Sequence, residues 1–489
     1  MPSNILNSIL PNRYLRDKAF VGGEWLDSES RTTFEVINPA TERVISLVPN
    51  CSGTDTELAI QRAQEALSDW KGLPPEKRGR IIKRVAELIR INLSDLAAII
   101  TLEQGKPLRE AEKELLYGAD YFEWFAEEGR RIYGETIPSS LTDRRILVTK
   151  EAIGVCAAIT PWNFPHAMIA RKMAAALAAG CTFICKPALE TPLSALAIGV
   201  LCEQAELPKG VVSIIPGNAE PIARAIMKSE IVRKVSFTGS TEVGKILLRQ
   251  SADTVKKLTL ELGGNAPYLV FDDANIGKAA QDAVYGKFRN AGQTCICINR
   301  FLLHEEIKER FLELFIEETS RLKIGNGMEP NVDIGPLIST KAAEKVSLLV
   351  EDATENGAQL IFGSKPDGST RFIKPIVIDN VNAEMKIAKT EIFGPVAAIS
   401  TFSSEDEALK LANNSLAGLI AYVYTRDFSR AVRVSEQLQF GMVGVNDTTI
   451  SMVQAPFGGI KHSGFGREGG HHGIDEYLNL KYMVLGINS

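Results

Sequence analysis

Cys295 lies in the polar, turn-prone stretch Gly292-Gln293-Thr294-Cys295-Ile296-Cys297, which is entered from an apolar segment. Free cysteines are usually small buried hydrophobes, but this one is placed to react rather than to pack. A thiolate attacking an aldehyde carbonyl forms a tetrahedral oxyanion, which needs preorganised hydrogen-bond donors. Asn163, at the end of a predicted strand, offers a side-chain amide. Loss of hydride to a nicotinamide then leaves a thioester, and water must be activated by a carboxylate in an apolar pocket. Glu261 ends another predicted strand, just before two glycines that let backbone approach closely. Taken singly, Asn163 also reads as a turn residue and Glu261 as a solvated strand end. Gly239-Ser240-Thr241-Glu242-Val243-Gly244 follows a strand and opens a helix, whose amides and macrodipole can hold one phosphate. Glycine–serine helix starts are also ordinary caps, and the chain has no GxGxxG fingerprint.

The elements that must position these groups come from a chain of 489 residues, too long for one core. Apolar residues make up 45% and charged residues 24%, with a net charge of -5 and no long block of like charge. That balance excludes nucleic acid or a membrane surface as the main partner. No stretch is long enough to span a bilayer. The N-terminus lacks a secretory signal; Arg13, Arg16 and Lys18 have a faint transit-peptide character that Pro11 and Asp17 weaken, so a cytoplasmic protein is expected. Seven cysteines without zinc spacing fit a reduced compartment, and no metal site is expected.

Short strands are expected at Ala19–Val21 and Phe34–Ile37. The spacing of Ile81, Ile82, Val85, Leu88 and Ile89 predicts a helix. A second is predicted after a Ser94-Asp95 cap, and a third from Leu108 to Ile132, with Tyr117, Tyr121, Phe122, Trp124 and Phe125 in the core. From Gly154, apolar runs at Val155–Ile159, Thr182–Cys185, Val211–Ile215, Val235–Phe237 and Leu258–Leu260 alternate with helices, which predicts a parallel sheet covered on both faces. Ligands bind such sheets at the carboxyl ends of the strands, here Thr160-Pro161-Trp162-Asn163, Lys186-Pro187-Ala188, Pro216-Gly217-Asn218, Thr238-Gly239-Ser240 and Glu261-Leu262-Gly263-Gly264. A second α/β pattern begins at Ala266, with strands at Tyr268–Phe271, Phe301–His304, Leu360–Phe362, Ala397–Phe402, Leu419–Tyr424 and Met442–Val445 and a helix over Ile276–Phe288.

Taken together, Pro161-Trp162-Asn163-Phe164-Pro165, Phe237-Thr238-Gly239-Ser240, Glu261-Leu262-Gly263-Gly264-Asn265, Gly292-Gln293-Thr294-Cys295, Glu391-Ile392-Phe393-Gly394-Pro395 and Pro456-Phe457-Gly458-Gly459 resemble the aldehyde dehydrogenase family over nearly the whole chain. The resemblance implies two parallel-sheet α/β domains, a Rossmann-like cofactor domain (1–135 and 153–264) and a catalytic domain (265–447). It also implies an oligomerisation arm of β-strands (136–152 and 472–489) and a returning segment (448–471) that lines the active site. By the same resemblance Cys295 is the nucleophile, Glu261 the general base, and Asn163 with the Cys295 N–H the oxyanion hole. Glu391, with Phe393 beside it, holds the nicotinamide ribose, and the strand ends supply further cofactor contacts at Thr160, Pro161, Trp162, Lys186, Ala188, Leu189, Gly239, Ser240 and Leu262. Lys172 and Glu468 match positions proposed to relay protons from the base. The arm implies a homodimer or homotetramer, and both of its segments alternate apolar and polar residues as an unpaired strand edge does.

Within the family the chain is most similar to succinate-semialdehyde dehydrogenases, on Arg171, on Lys287-Phe288-Arg289-Asn290-Ala291 and on Cys295-x-Cys297. That implies a small acidic aldehyde as substrate, its distal carboxylate gripped by Arg171, Arg289 and Ser451. Guanidinium forks suit a carboxylate. Glutarate or 2-oxoglutarate semialdehyde are the alternatives, since one methylene discriminates by only about 1–3 kcal/mol. A CoA-acylating relative would lack the glutamate, and a non-catalytic structural protein on this fold has no reason to keep all three catalytic residues. Relatives strict for NAD often carry glutamate three residues after the strand-end lysine. Here that position is Leu189, and Glu190 is expected to point elsewhere, so NADP is favoured with NAD tolerated. Cys297 is expected to pack, with a reversible disulfide to Cys295 as the alternative that the resemblance offers.

Overall fold

The computed structural model describes residues 13 to 487; Met1–Asn12 and Asn488–Ser489, which fall in the expected cofactor domain and arm, lie outside the described residues. Its strands in chain order are β1 Ala19–Val21, β2 Glu24–Leu26, β3 Thr33–Ile37, β4 Val44–Pro49, β5 Glu135–Ile137, β6 Arg144–Ala152, β7 Val155–Ile159, β8 Thr182–Lys186, β9 Val212–Ile214, β10 Val232–Thr238 and β11 Lys257–Glu261. Then follow β12 Ala266–Val270, β13 Ile298–His304, β14 Gln359–Phe362, β15 Ile376–Asp379, β16 Val396–Phe402, β17 Ile420–Tyr424, β18 Met442–Val445, β19 Gly464–Phe465 and β20 Leu478–Gly486.

The five apolar runs after Gly154 become the parallel strands β7 to β11, side by side in the order β11-β10-β7-β8-β9. The chain leaves β7 in one direction for β8 and β9 and returns to the other side for β10 and β11. The crevice of such a sheet opens where that order reverses, between the carboxyl ends of β7 and β10. Antiparallel β1 and β2 extend one edge, and β19, contributed by the returning segment, closes the other against β11. A second sheet, β14-β15-β16-β13-β12-β17-β18, is parallel except for β14. The change of sheet falls between Glu261 and Ala266, and each sheet packs its own apolar cores.

Three expectations shift. The helix Leu93–Gln104 starts directly after Asn92, which also ends the helix before it, so Ser94 lies inside the helix instead of capping it. The helix from Leu108 ends at Glu128 and tightens into a 3-10 turn over Gly129–Arg131, at a glycine that disfavours helix. Strand β15 was not anticipated, because its apolar run is only three residues long, Ile376-Val377-Ile378. The expected arm segments pair with each other: β20 runs antiparallel to β6 over nine residue pairs, with β5 on the other side of β6.

Candidate active site

The cysteine loop begins at the end of the helix Ile276–Phe288, where Asn290, Ala291 and Gly292 all take left-handed backbone, with φ of 51°, 55° and 75°. A Cβ at Gly292 would collide with the Gly394 carbonyl, so the turn requires glycine there. The loop then passes against Gly264, where any Cβ would strike the carbonyl oxygen of Cys295. Cys295 emerges half-buried at the junction of two cavities and lines both.

The first cavity, of about 250 Å³, holds Arg171, Arg289 and Ser451 among its lining residues. Arg171 is 3% exposed, and its Nε lies 2.7 Å from a Glu468 oxygen. Burial would lower its pKa, but Glu468 holds it above its usual value. Its guanidinium carbon sits 4.0 Å from the Phe457 ring centre; Nη1 donates to the Met168 sulfur at 3.9 Å and Nη2 has no hydrogen-bond partner. The Arg289 guanidinium lies 5.5 Å from the ring centres of both Phe164 and Tyr285. Arg171, Arg289 and Lys113 thus share the cavity with the Ser451 hydroxyl and with the carboxylates Glu110 and Glu114, a setting able to hold a small anionic group on its cations.

The second cavity, of about 490 Å³, is lined by Pro161, Trp162, Asn163, Gly239, Ser240, Glu261, Leu262, Glu391 and Phe393 beside Cys295. Trp162 meets Phe393 edge to face at 5.5 Å. Phe393 holds a left-handed φ of 55°, a costly state for an aromatic residue and of the kind that concentrates at functional sites. Ser240 caps the helix Thr241–Ser251, whose N-terminus faces this space. Glu391 accepts from the Gly264 N–H at 3.0 Å, and burial pushes its pKa up to about 7 despite that bond. An elongated polar-ended space beside a helix N-terminus fits a dinucleotide.

Not every expected cofactor contact reaches the space. Lys186 is 4% exposed, Thr160 turns its hydroxyl to the Cys185 sulfur at 4.0 Å, and neither lines the cavity. Ala188 and Leu189 are half-buried and do not line it either. Glu190, expected to point elsewhere, does line it. Strand β8 ends at Lys186, and the Pro187-Ala188-Leu189 segment that follows it carries Glu190 to the cavity.

Around Cys295 burial and neighbouring charge perturb the thiol, Glu261 and Glu468. Burial first, then the negative charge of Glu391, pushes the thiol up to about 12, against Arg171 and Arg289. Glu261, 4% exposed with both oxygens unpartnered, is held well above the usual carboxylate range by burial and by Glu468 nearby. Burial also opposes ionisation of Glu468, but Arg171 and Lys172 outweigh it and keep this carboxyl low. Lys172 donates to Glu468 and, at 2.6 Å, to the Thr238 hydroxyl. Asn163 donates to the Gln293 carbonyl at 3.1 Å, which ties it to the cysteine loop and leaves its second amide proton free. Cys297 is 6% exposed; Lys287 donates to its sulfur at 3.3 Å, and it lines neither cavity.

The helix Leu108–Glu128 contributes residues that sequence reasoning missed. Glu110, Lys113, Glu114 and Tyr117 line the first cavity. Buried Lys106, just before this helix, donates to Glu114 and to the Asn163 carbonyl, both at 2.7 Å. The other Glu114 oxygen accepts the N–H groups of His166 and Ala167, at the start of the helix that carries Arg171 and Lys172. The signal was present: Glu110, Glu114, Tyr117 and Tyr121 recur at helical spacing, and carboxylates on a core-facing stripe need a partner.

This geometry agrees with known proteins. Residues 25–483 match the model of the Aldehyde dehydrogenase family. The chain is 50% identical over 472 residues to the succinate semialdehyde dehydrogenase of Acinetobacter baylyi, covering 96% of this chain and 98% of the relative. It is 49% identical to the 3-sulfolactaldehyde dehydrogenase of Pseudomonas putida, covering 96% and 97%. A crystal structure of an NADP-dependent enzyme from E. coli superposes with a TM-score of 0.96 at 47% identity, covering 97% and 98%. With Cys295 lining two cavities, and with likeness along almost its entire length, this chain belongs to the aldehyde dehydrogenase family of oxidoreductases.

Proposed function

We propose that the protein oxidises succinate semialdehyde, or a close acidic aldehyde, to the carboxylate. The observation that carries this is the placing of Arg171, Arg289 and Ser451 in the cavity on one side of Cys295, with Glu261, Asn163 and Glu391 in the cavity on the other. The arginines seat the distal carboxylate so that the aldehyde carbon lies against the Cys295 sulfur. The thiolate adds to that carbon, and the oxyanion takes hydrogen bonds from the free Asn163 amide proton and the Cys295 N–H. A nicotinamide dinucleotide, when bound along Ser240, Trp162 and Glu391, supplies the hydride acceptor and a positive charge that favours the thiolate. Glu261 then takes a proton from water, hydroxide adds to the thioester, and the carbon–sulfur bond breaks with its electron pair returning to sulfur.

Glutarate semialdehyde fits the same charge pattern with one methylene more. A sulfonate aldehyde is a second reading, supported by the 49% likeness to a 3-sulfolactaldehyde dehydrogenase and by Lys113 and Thr449 in the same cavity. For the cofactor we propose a nicotinamide dinucleotide, NADP or NAD: the absence of glutamate at 189 favours NADP, and the carboxylate of Glu190 in the cavity favours NAD. Glu190 is the group positioned to oppose a 2′-phosphate. All seven cysteines are free, which supports a reducing, cytoplasmic setting. The test follows absorbance at 340 nm across succinate, glutarate and 3-sulfolactate semialdehydes and neutral butanal. An acidic substrate should exceed butanal at least a hundredfold in kcat/KM, and Arg171→Met or Arg289→Met should erase the difference. Equal rates with butanal would overturn the proposal.

A further inference from the structure

Parallel sheets covered on both faces are normally apolar on both. Strands β10 and β11 are not. One face carries Val235, Phe237, Leu258 and Leu260, all in an apolar core. The other carries Lys234, Ser236 and Thr238 on β10, in register with Lys257, Thr259 and Glu261 on β11. Except for Lys257 every member of this polar row is buried, with Lys234 at 0% and Thr259 at 3% exposure.

Hydrogen bonds join the row in two stretches, separated between Thr238 and Ser236, and Glu261 stands beside the first without a direct bond to it. At one end stand Glu261 and the group of Glu468, Lys172 and Thr238. Toward the other, Lys234 donates to the Thr259 hydroxyl at 3.0 Å, and Thr259 donates to Ser236 at 3.0 Å. Thr238 and Ser236 are two residues apart on one strand, about 7 Å along it, the reach of one bridging water. The Tyr477 ring lies 4.8 Å from the Lys234 ammonium. Beyond Lys234 the row reaches solvent at Lys257, whose partly exposed side chain is 3.3 Å from Glu476.

Lys234 is the anomaly. Among the described residues no carboxylate pairs with it, yet it is fully buried. A buried ammonium without a counter-ion is costly and loses its proton readily. The groups facing it are Glu476, Cys156, Lys257 and Glu468, and burial dominates them, bringing its pKa down to about 8. A lysine in that state both takes and gives a proton near neutral pH.

We propose that Lys234, Ser236 and Thr259 form the exit path for the proton that Glu261 removes from water, delivering it to solvent beside Lys257 and Glu476. This rests on the proposed role of Glu261 as base. Each thioester hydrolysis leaves a proton on a carboxyl that is 4% exposed, and Glu261 cannot activate another water until that proton leaves.

The experiment separates the two half-reactions by stopped flow with succinate semialdehyde and NADP. Thr259→Val is isosteric and breaks the row; Thr259→Ser keeps the hydroxyl; Lys234→Met removes the amine, and Lys234→Arg keeps a charge that cannot be released at neutral pH. The burst of reduced cofactor should be the same in all four. Hydrolysis of the acyl-enzyme should slow about tenfold or more in Thr259→Val, Lys234→Met and Lys234→Arg, with a larger solvent deuterium effect, and should stay at the unmutated rate in Thr259→Ser. Normal hydrolysis in Thr259→Val, or recovery in Lys234→Arg, would overturn the path. Glu261→Gln is run alongside: if it too hydrolyses normally, the reading of the active site fails, whereas its loss beside normal path variants removes the path alone.

Discussion

The side chains nearest Cys295 act through proximity and charge. Asn163 keeps one amide proton free while its other bonds Gln293. Asn163→Ala should therefore lower kcat about 10²–10³-fold, the usual loss for one oxyanion donor, with little change in aldehyde KM in steady-state assays. Glu261 has a raised pKa from burial and the adjacent Glu468. A raised pKa keeps the carboxyl protonated to higher pH, so its base form is scarce in acid and grows as pH rises. Acyl-enzyme hydrolysis should accordingly climb with pH well above the ordinary carboxylate range, and the rise should vanish in Glu261→Gln; a flat profile in the unmutated enzyme would contradict the assignment. Glu190 lines the cofactor-side cavity, where a carboxylate disfavours a 2′-phosphate. Glu190→Gln should raise kcat/KM for NADP relative to NAD severalfold, read from paired titrations of the two cofactors.

Individual elements set these side chains in place. The helix Leu108–Glu128 and the turn before it do so from outside the sheet. Lys106 and the Asn290 amide both donate to the Asn163 carbonyl, at 2.7 and 3.0 Å, so the strand-end loop and the cysteine loop share one anchor. Gln104 supports Asn290 in turn, at 3.0 Å. Removing the Lys106 ammonium leaves Glu114 as an uncompensated buried charge, an effect on the order of 3–5 kcal/mol. Lys106→Met should thus lower both the melting temperature and kcat. Adding Glu114→Gln should restore much of the melting temperature but not kcat, because the Asn163 carbonyl still lacks its ammonium. Recovery of both together would mean that Lys106 serves stability alone.

Across the whole molecule, two sheets with separate cores share a cavity in which Cys295, from the loop before β13, lies beside the strand ends of the first sheet. Away from that junction the β5–β6–β20 sheet leaves Leu480, Tyr482, Val484 and Leu485 exposed along a strand whose outer edge is unpaired among the described residues. Apolar strand edges of this kind are covered in stable proteins. We propose that a second copy covers this one. Leu480→Lys with Tyr482→Lys should shift sedimentation from a dimer or tetramer toward monomer, and a monomeric unmutated protein would disprove the assembly.

Much of this could be read from local pattern. Period-2 and period-3.6 spacing located most elements, and polar strand ends after Ile159, Thr238 and Glu261 marked the crevice, because alternation and strand-end chemistry are properties of neighbouring residues. The resemblance named many of the residues that line the two cavities, but Thr160, Lys186, Ala188 and Leu189 line neither, and it did not name Glu110, Lys113 or Glu114. Folding contributed what depends on distant parts of the chain. Lys106 reaches Asn163 across 57 positions, Glu468 meets Lys172 across 296, and Glu190 enters the crevice through a turn that alternation does not describe. The raised Glu261 and the lowered Glu468 differ through their surroundings: both are buried, but Glu468 is paired directly with Arg171 and Lys172, whereas Glu261 has no hydrogen-bond partner and faces the Glu468 charge. Residue type and spacing supply candidate groups; which of them share one dry space, and hence which hold or release protons, follows from packing.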